Sequence, residues 1–288
     1  MKKMNTPSNA IPYIERHKDV VDSKTNTVNR QPNLIKSNLL LLEQDIENRY
    51  VAFEQHVNRG NLFSFPEDTR FTAHSDDLLS CYKGLTKKVK DIFKLIENAQ
   101  PDNFLKRCPY CGITLPKTHD HYLPESKFPE LAVHALNLIP CCFTCNQTKN
   151  DIWKNQTHRV FLHFYMDNIP RVQFLHVDLT SSANMNAVGA TFTLSRPPNI
   201  PNSVWDVLSA HYDKLGLIQQ YNDQANNEIS TVFNACVSHL KNGGVWVERF
   251  IRTLLLSDEQ LYGENHWRVV LMKALANNPV FINAVRSA

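Results

Sequence analysis

Residues Cys108 to Lys149 read CPYCGITLPKTHDHYLPESKFPELAVHALNLIPCCFTCNQTK, and this stretch decides the fold. Two Cys-x-x-Cys pairs open and close it, Cys108 with Cys111 and Cys142 with Cys145. Thirty residues lie between Cys111 and Cys142, more than a simple zinc ribbon carries. Four thiolates complete the tetrahedral shell of a zinc ion and leave no place for water, so the expected ion is structural. It is expected to staple the two ends of a module whose middle is free to form a site. Such ions supply on the order of 10 kcal/mol of folding free energy in zinc peptides. Cys141 adjoins Cys142, but only Cys142 has the two-residue spacing to Cys145. Cys81, Cys141 and Cys236 are expected to be buried thiols.

Between the cysteine pairs stand Asp120-His121, Pro124, and Asn137-Leu-Ile-Pro; Asn146 and Lys149 follow Cys145. An imidazole titrating near pH 6.5 can accept a proton from water at neutral pH. A carboxylate oxygen and an amide oxygen both suit Mg²⁺, which takes few protein ligands beside substrate phosphate. Taken together, this pattern resembles the HNH endonucleases of the ββα-metal fold, in the branch that carries zinc knuckles. The likeness covers about one-seventh of the chain and is silent about the rest.

The resemblance implies a role for each residue. His121 is the general base, and Asp120 with Asn146 holds a catalytic Mg²⁺, with Mn²⁺ as a substitute. Asn137 ties the loop and orients the His121 ring. The family's last ligand is often His; Asn146 makes this a His-Asn-Asn variant and favours Mg²⁺ over softer metals. Lys149, one helical turn beyond Asn146, is expected to touch phosphate or lie on the surface. Glu125 and Lys127, in the loop after Pro124, are expected near substrate. His119 would share a strand face with His121 and is an alternative ligand, but both it and His134 are expected to support the site or lie at the surface.

Working outward, residues 1–37 are rich in Asn, Lys, Ser and Pro and read as a flexible polar arm. A helical hairpin is expected over 38–102. Its first helix, 38–57, carries Leu39, Leu42, Ile46, Tyr50, Phe53 and Val57 at three- and four-residue steps. Its second, 76–99, buries Leu78, Tyr82, Leu85, Val89, Phe93 and Ile96. On the opposite face Lys83, Lys87, Lys90 and Lys94 form a stripe that can follow a phosphate backbone, or simply face solvent. The module itself spans 103–157. Residues 158–288 are expected to form strands at 160–165, 171–179 and 189–194, then helices at 217–240, 245–255 and 259–276. Ser203 with Asp206 reads as a capping box and Gly216 as a helix stop. The fold class is therefore α+β and predominantly helical, with a zinc-stapled ββα core between helical flanks.

The chain has 288 residues, 42% hydrophobic and 20% charged, with a net charge of +3. That charge is too small to identify a nucleic-acid binder by itself. No run is long and apolar enough to span a bilayer, and no signal-peptide core follows Met1, so a cytoplasmic protein is expected. Among its eight glycines none forms a loop of the Gly-x-x-x-x-Gly-Lys-Ser/Thr type, which excludes ATP hydrolysis by that route. The expected function is metal-dependent cleavage of DNA. Structured RNA such as tRNA is an alternative substrate, and a non-catalytic zinc-stabilised assembly module is the alternative of a different class. The long helical flanks suggest a protein partner. The layout is similar to the HNH subunits of Septu-type anti-phage systems, which implies a separate ATPase as that partner.

Overall fold

The computed structural model describes residues 1–8, 10–182 and 187–288. Asn9, within the expected polar arm, lies outside the described residues, as do residues 183–186. Two compact units result: Lys3–Asn168, and Ile169–Ala288 together with Met1–Lys2. The helices preceding the cysteine-rich stretch and that stretch itself thus share one unit.

In the Lys3–Asn168 unit the arm is not a loose tail. Helix α1 (Tyr13–Asp22) buries Tyr13, Ile14, His17, Val20 and Val21. Those positions recur as i, i+1, i+4, i+7 and i+8, the stripe of a core-facing helix. A histidine in the stripe and polar flanks masked it. Two-residue strands β1 (Thr27–Val28) and β2 (Gln31–Pro32) pair antiparallel and lead into α2 (Leu34–Leu41). Asn33 caps α2 through its side chain. The helix expected over 38–57 is two helices meeting at Leu42, since α3 runs Glu43–Arg59. Ile46, Tyr50, Phe53 and Val57 are buried along α3, and Gly60 ends it in the left-handed conformation.

Short helices α4 (Thr69–Thr72) and α5 (Ser75–Leu79) precede α6 (Lys87–Asn98). The expected continuous helix 76–99 is therefore broken. Between α5 and α6 Gly84 and Leu85 both take positive φ, 86° and 45°. Leu85, expected in the core, is exposed, and Lys83 lies in the turn rather than on a helix face. Thr86 caps α6 by accepting from the Val89 N–H, and Val89, Ile92 and Ile96 form its buried side.

Strands β3 (Thr118–His121) and β4 (Leu138–Cys141) form an antiparallel hairpin, Asp120 opposite Ile139 and His121 opposite Leu138. Helix α7 (Phe143–Lys149) follows β4 after the single residue Cys142 and packs on β3. The stretch expected as a strand at 160–165 instead makes turns. Asp167 closes it, accepting from the His163 N–H and pairing with Arg159 at 2.6 Å. The run looks strand-like because Val160, Phe161, Phe164 and Tyr165 are all buried; its backbone pairing is limited to the start, where the Val160 N–H donates to the Trp153 carbonyl at 2.9 Å.

His17 and His163 are buried in this unit and held neutral. Burial pushes His17 down to about 4, with the nearby His134, Lys24 and Lys18 adding to it, and burial pushes His163 down to about 3. An unfolded histidine titrates near 6.5, so below that pH the unfolded chain binds protons that the folded one refuses. Stability from these two groups is complete above pH 6.5 and falls as acid is added. At pH 5 each is expected to cost about 2 kcal/mol, read as a lower urea midpoint than at pH 7. Midpoints independent of pH across that window would contradict the burial argument.

The second unit pairs β5 (Leu175–Ser182) with β6 (Ala187–Leu194), antiparallel, with Leu175 opposite Leu194. Helices α8 (Asn202–Lys214), α9 (Leu217–Lys241), α10 (Val247–Tyr262), α11 (Trp267–Ala276) and α12 (Pro279–Arg286) follow. Phe192 on β6 meets Tyr221 and Trp267, whose rings stack with centroids 5.8 Å apart. Asn265 accepts from the N–H groups of Phe174 and Leu175, which anchors the start of β5 to the turn before α11. Ser203 is not a cap, because α8 already starts at Asn202 behind Pro201. Gly216, in the left-handed conformation, does separate α8 from α9. Among the described residues no helix is long and apolar enough to cross a membrane.

Candidate active site and metal centre

Cys108 and Cys111 lie on the turn before β3, Cys142 caps α7, and Cys145 sits within its first turn. Their four sulfur atoms lie within 4.8 Å of one another, and all four residues are buried. Cys111 Sγ and Cys142 Sγ are 3.9 Å apart. A tetrahedron with zinc–sulfur arms of 2.3 Å has edges of about 3.8 Å. Backbone donors point at the sulfurs, Cys142 N–H to Cys108 Sγ at 3.2 Å and Cys145 N–H to Cys142 Sγ at 3.5 Å. The Cys108 and Cys111 thiols, followed by that of Cys145, hold Cys142 far below the ordinary thiol range. Four buried cysteines are thus positioned to hold a metal ion. Cys141 stays outside the cluster, its thiol pushed up to about 12 by burial; Cys81 and Cys236 are pushed up to about 11 for the same reason.

Strand alternation sends Asp120 to one face of the hairpin and His119 and His121 to the other. Asp120 is 2% exposed. Its Oδ2 accepts from the Tyr110 hydroxyl at 2.7 Å and its Oδ1 from Lys149 Nζ at 3.0 Å. Lys149 Nζ also donates to the His121 carbonyl at 2.8 Å. With 0% exposure, Lys149 is no surface lysine, and its ammonium is turned inward onto Asp120 and the His121 carbonyl. The reason lies in helix geometry. Cys145 and Lys149, four residues apart, share the inward face of α7, whereas Asn146 falls on the outward side.

His121 Nε2 lies 2.8 Å from the Ala132 carbonyl. A carbonyl can only accept, so Nε2 carries the proton and Nδ1 is the free base. Nδ1 lies 3.5 Å from Glu125 Oε2, and the ring meets Tyr82 edge-on at 4.5 Å. Burial pushes His121 below the ordinary histidine range, with Glu125 and the Ala132 carbonyl pulling the other way. Beside it His119 stacks flat on Phe93, centroids 3.9 Å apart, and burial lowers it to about 4. His134 is neither at the surface nor beside this site. It is fully buried among Tyr13, Tyr50 and Phe53, with Nε2 3.4 Å from Glu54.

Asn137 is buried and binds the loop after β3 from both sides. Its Oδ1 accepts from the Leu123 N–H at 2.8 Å, and its Nδ2 donates to the carbonyls of Leu123 and Leu131. Ala132, which holds His121, is the next residue. Arg49 and Glu130 brace the same loop with a buried pair at 2.7 Å, and Arg49 lies over the Phe65 ring. Asn146 donates Nδ2 to Thr118 Oγ1 at 3.2 Å, which leaves its Oδ1 without a donor among the described residues.

Asp120, His121 and Asn146 line one pocket of 370 Å³, with Glu125, Asp151 and Phe143 on its walls. The donor set fits a hard divalent cation. A carboxylate has about four acceptor positions, so Asp120 keeps two beside its internal partners, and Asn146 Oδ1 adds a neutral oxygen. Among the described residues no lysine or arginine lines the pocket. Lys87, Lys90 and Lys94 are exposed on α6, Lys83 is exposed in the turn, and Lys127 is paired with Glu67 at 3.1 Å. The residue most plainly missed from sequence is Tyr110. It lies between the first two cysteines, and its reach to Asp120 has no linear signal.

No protein-family model matches the chain, and no solved structure matches it. It is similar to Protein ea31 of Escherichia phage lambda, 25% identical over 201 residues covering 62% of this chain. The match spans 64% of the phage protein's length.

Proposed function

We propose that this protein is a metal-dependent endonuclease of the HNH type that hydrolyses phosphodiester bonds in DNA. The observation that carries the reading is the pocket shared by His121, Asp120 and Asn146 on a strand–strand–helix unit joined at four thiols. Zinc is the ion proposed for Cys108, Cys111, Cys142 and Cys145, since an all-sulfur tetrahedral shell suits it and keeps it structural. Mg²⁺ is proposed for Asp120 and Asn146, where it would neutralise charge on the scissile phosphate and the leaving oxygen. His121 Nδ1 takes the proton from the attacking water. The imidazolium that forms faces the Glu125 carboxylate, and the Nε2–H bond to Ala132 holds the ring in place throughout. Because Lys149 already neutralises Asp120, the remaining negative charge toward a cation comes from Glu125 and Asp151.

The test is nicking of supercoiled plasmid in Mg²⁺ or Mn²⁺ by the wild type and His121→Ala. The variant is expected to lose about 10²- to 10⁴-fold in rate. Equal rates in the two proteins remove the catalytic reading, and no cleavage of DNA beside clean cleavage of tRNA moves the substrate to RNA. A role in anti-phage defence, in the cytoplasm and beside an ATPase subunit, is part of the proposal. It rests on the architectural likeness to Septu-type subunits, and affinity purification of the tagged protein from its host checks it.

A further inference from the structure

One face of α7 looks into the pocket. Phe143, Asn146 and Gln147 line it at the i, i+3, i+4 positions of a single helical stripe, and Asn150, just past the end of the helix, joins them. Phe143 opens this stripe and is 66% exposed. An aromatic ring left in water beside a polar pocket forgoes burial that nearly every other aromatic side chain of this unit obtains. The ring is also rigidly presented. Its neighbour Cys142 and the following Cys145 both belong to the four-sulfur cluster, so the backbone carrying it is fixed from two sides.

The pocket's charge limits what it can grip. Among the described residues it holds three carboxylates, Asp120, Glu125 and Asp151, and no lysine or arginine. A polyanionic strand therefore gains nothing from direct ion pairing here. Phosphate must be held through a divalent cation, and further affinity must come from uncharged parts of the nucleotide. Phe143 and Asn146 are three residues apart on the helix, about 5–6 Å between Cβ atoms. A nucleotide whose phosphate is held at the Asn146 end can lay its base on the Phe143 ring.

We propose that Phe143 is a stacking platform for the base of a nucleotide beside the cut, and hence that the substrate is DNA unpaired at that position. In an intact duplex both faces of every base are already covered by neighbours, so the ring has nothing to stack on until a base leaves the helix. Base–aromatic stacking of this kind tolerates any base, because each has a π-face. The inference rests on the nuclease reading above.

The test uses the full chain with oligonucleotides that are single-stranded, gapped or fully paired, each carrying 2-aminopurine on either side of the mapped cut. Binding is read with His121→Ala, and with the His121→Ala/Phe143→Ala pair, as stacking-dependent quenching in Mg²⁺. Cleavage is read with wild type, Phe143→Ala and Phe143→Trp. Unpaired and gapped DNA are expected to be cut at least tenfold faster than duplex. Phe143→Ala is expected to lower kcat/KM about tenfold or more and abolish the quenching, while Phe143→Trp keeps both. Unchanged metal content and melting temperature in Phe143→Ala confirm that the exposed substitution leaves the fold intact. Cleavage by Phe143→Ala within twofold of wild type, with quenching retained, overturns the platform and leaves the nuclease standing. Faster cutting of intact duplex overturns it as well, and so does a protein ligand that covers Phe143 while DNA binding is unaffected by its loss. Failure of the wild type to cut any nucleic acid removes the nuclease reading and this inference with it.

Discussion

Stripping the metal from the four-cysteine centre is expected to melt the β3–β4–α7 unit. The strands are only four residues each, and an isolated two-stranded hairpin is marginal in water. Cys108 and Cys111 precede the hairpin while Cys142 and Cys145 follow it, so an ion there closes the unit at both ends. Without the ion, four buried sulfurs crowd within 4.8 Å and any thiolate among them lacks a counter-charge. The cost is on the order of 10 kcal/mol by analogy with zinc peptides, where binding and folding are one event. The measurement is one equivalent of zinc by elemental analysis, followed by thermal melts with and without a strong chelator. Cys142→Ser is expected to mimic the chelator, since it removes a thiolate ligand while its hydroxyl can still cap α7. A protein that contains no metal and melts at the same temperature with chelator would show that the cluster is merely a set of packed thiols.

Lys149→Met is expected to cost about 3–5 kcal/mol, the penalty for leaving one member of a buried ion pair alone. The methionine keeps an unbranched apolar chain but takes the ammonium from Asp120, from the His121 carbonyl and from its place over the Tyr122 and Phe161 rings. Tyr110 alone cannot neutralise the carboxylate. The double variant Lys149→Met/Asp120→Asn removes both charges and is expected to recover most of the loss, as replacing whole buried pairs often does. Urea unfolding of the four proteins closes the cycle. If Lys149→Met unfolds within 1 kcal/mol of wild type, the lysine is not the internal partner of Asp120, and a role toward phosphate returns.

The cysteine spacing and the Asp-His, Asn and Cys-x-x-Cys-Asn elements were legible because each is carried by residues a few positions apart. Local geometry then places them with little freedom. Lys149 was misread because spacing along a helix gives relative angles but not which face turns inward; Cys145, tied to the other sulfurs, settles that. The helix expected over 76–99 failed at Lys83–Gly84–Leu85, where two consecutive positive φ angles break it although the apolar rhythm continues across. Residues 1–37 looked like a loose tail because their average composition is polar. Five side chains decide the matter, and their burial depends on partners such as His134, more than a hundred residues away. Glu130 and Arg49 share that dependence, 81 residues apart, and Tyr110 reaches Asp120 across ten residues that carry no periodic signal.

His134 also shows how far the four-cysteine unit is grafted into its surroundings. Its ring packs against Tyr13 from α1 and against Tyr50 and Phe53 from α3, while its Nδ1 accepts from the Leu136 N–H just ahead of β4. The loop that positions His121 is thereby wedged beneath helices that the chain makes first. A fragment cut at the borders of the cysteine-rich stretch would lose those rings and strand a fully enclosed imidazole in water. The unit is consequently not a portable cassette, and any swap into another protein has to carry the first two long helices with it.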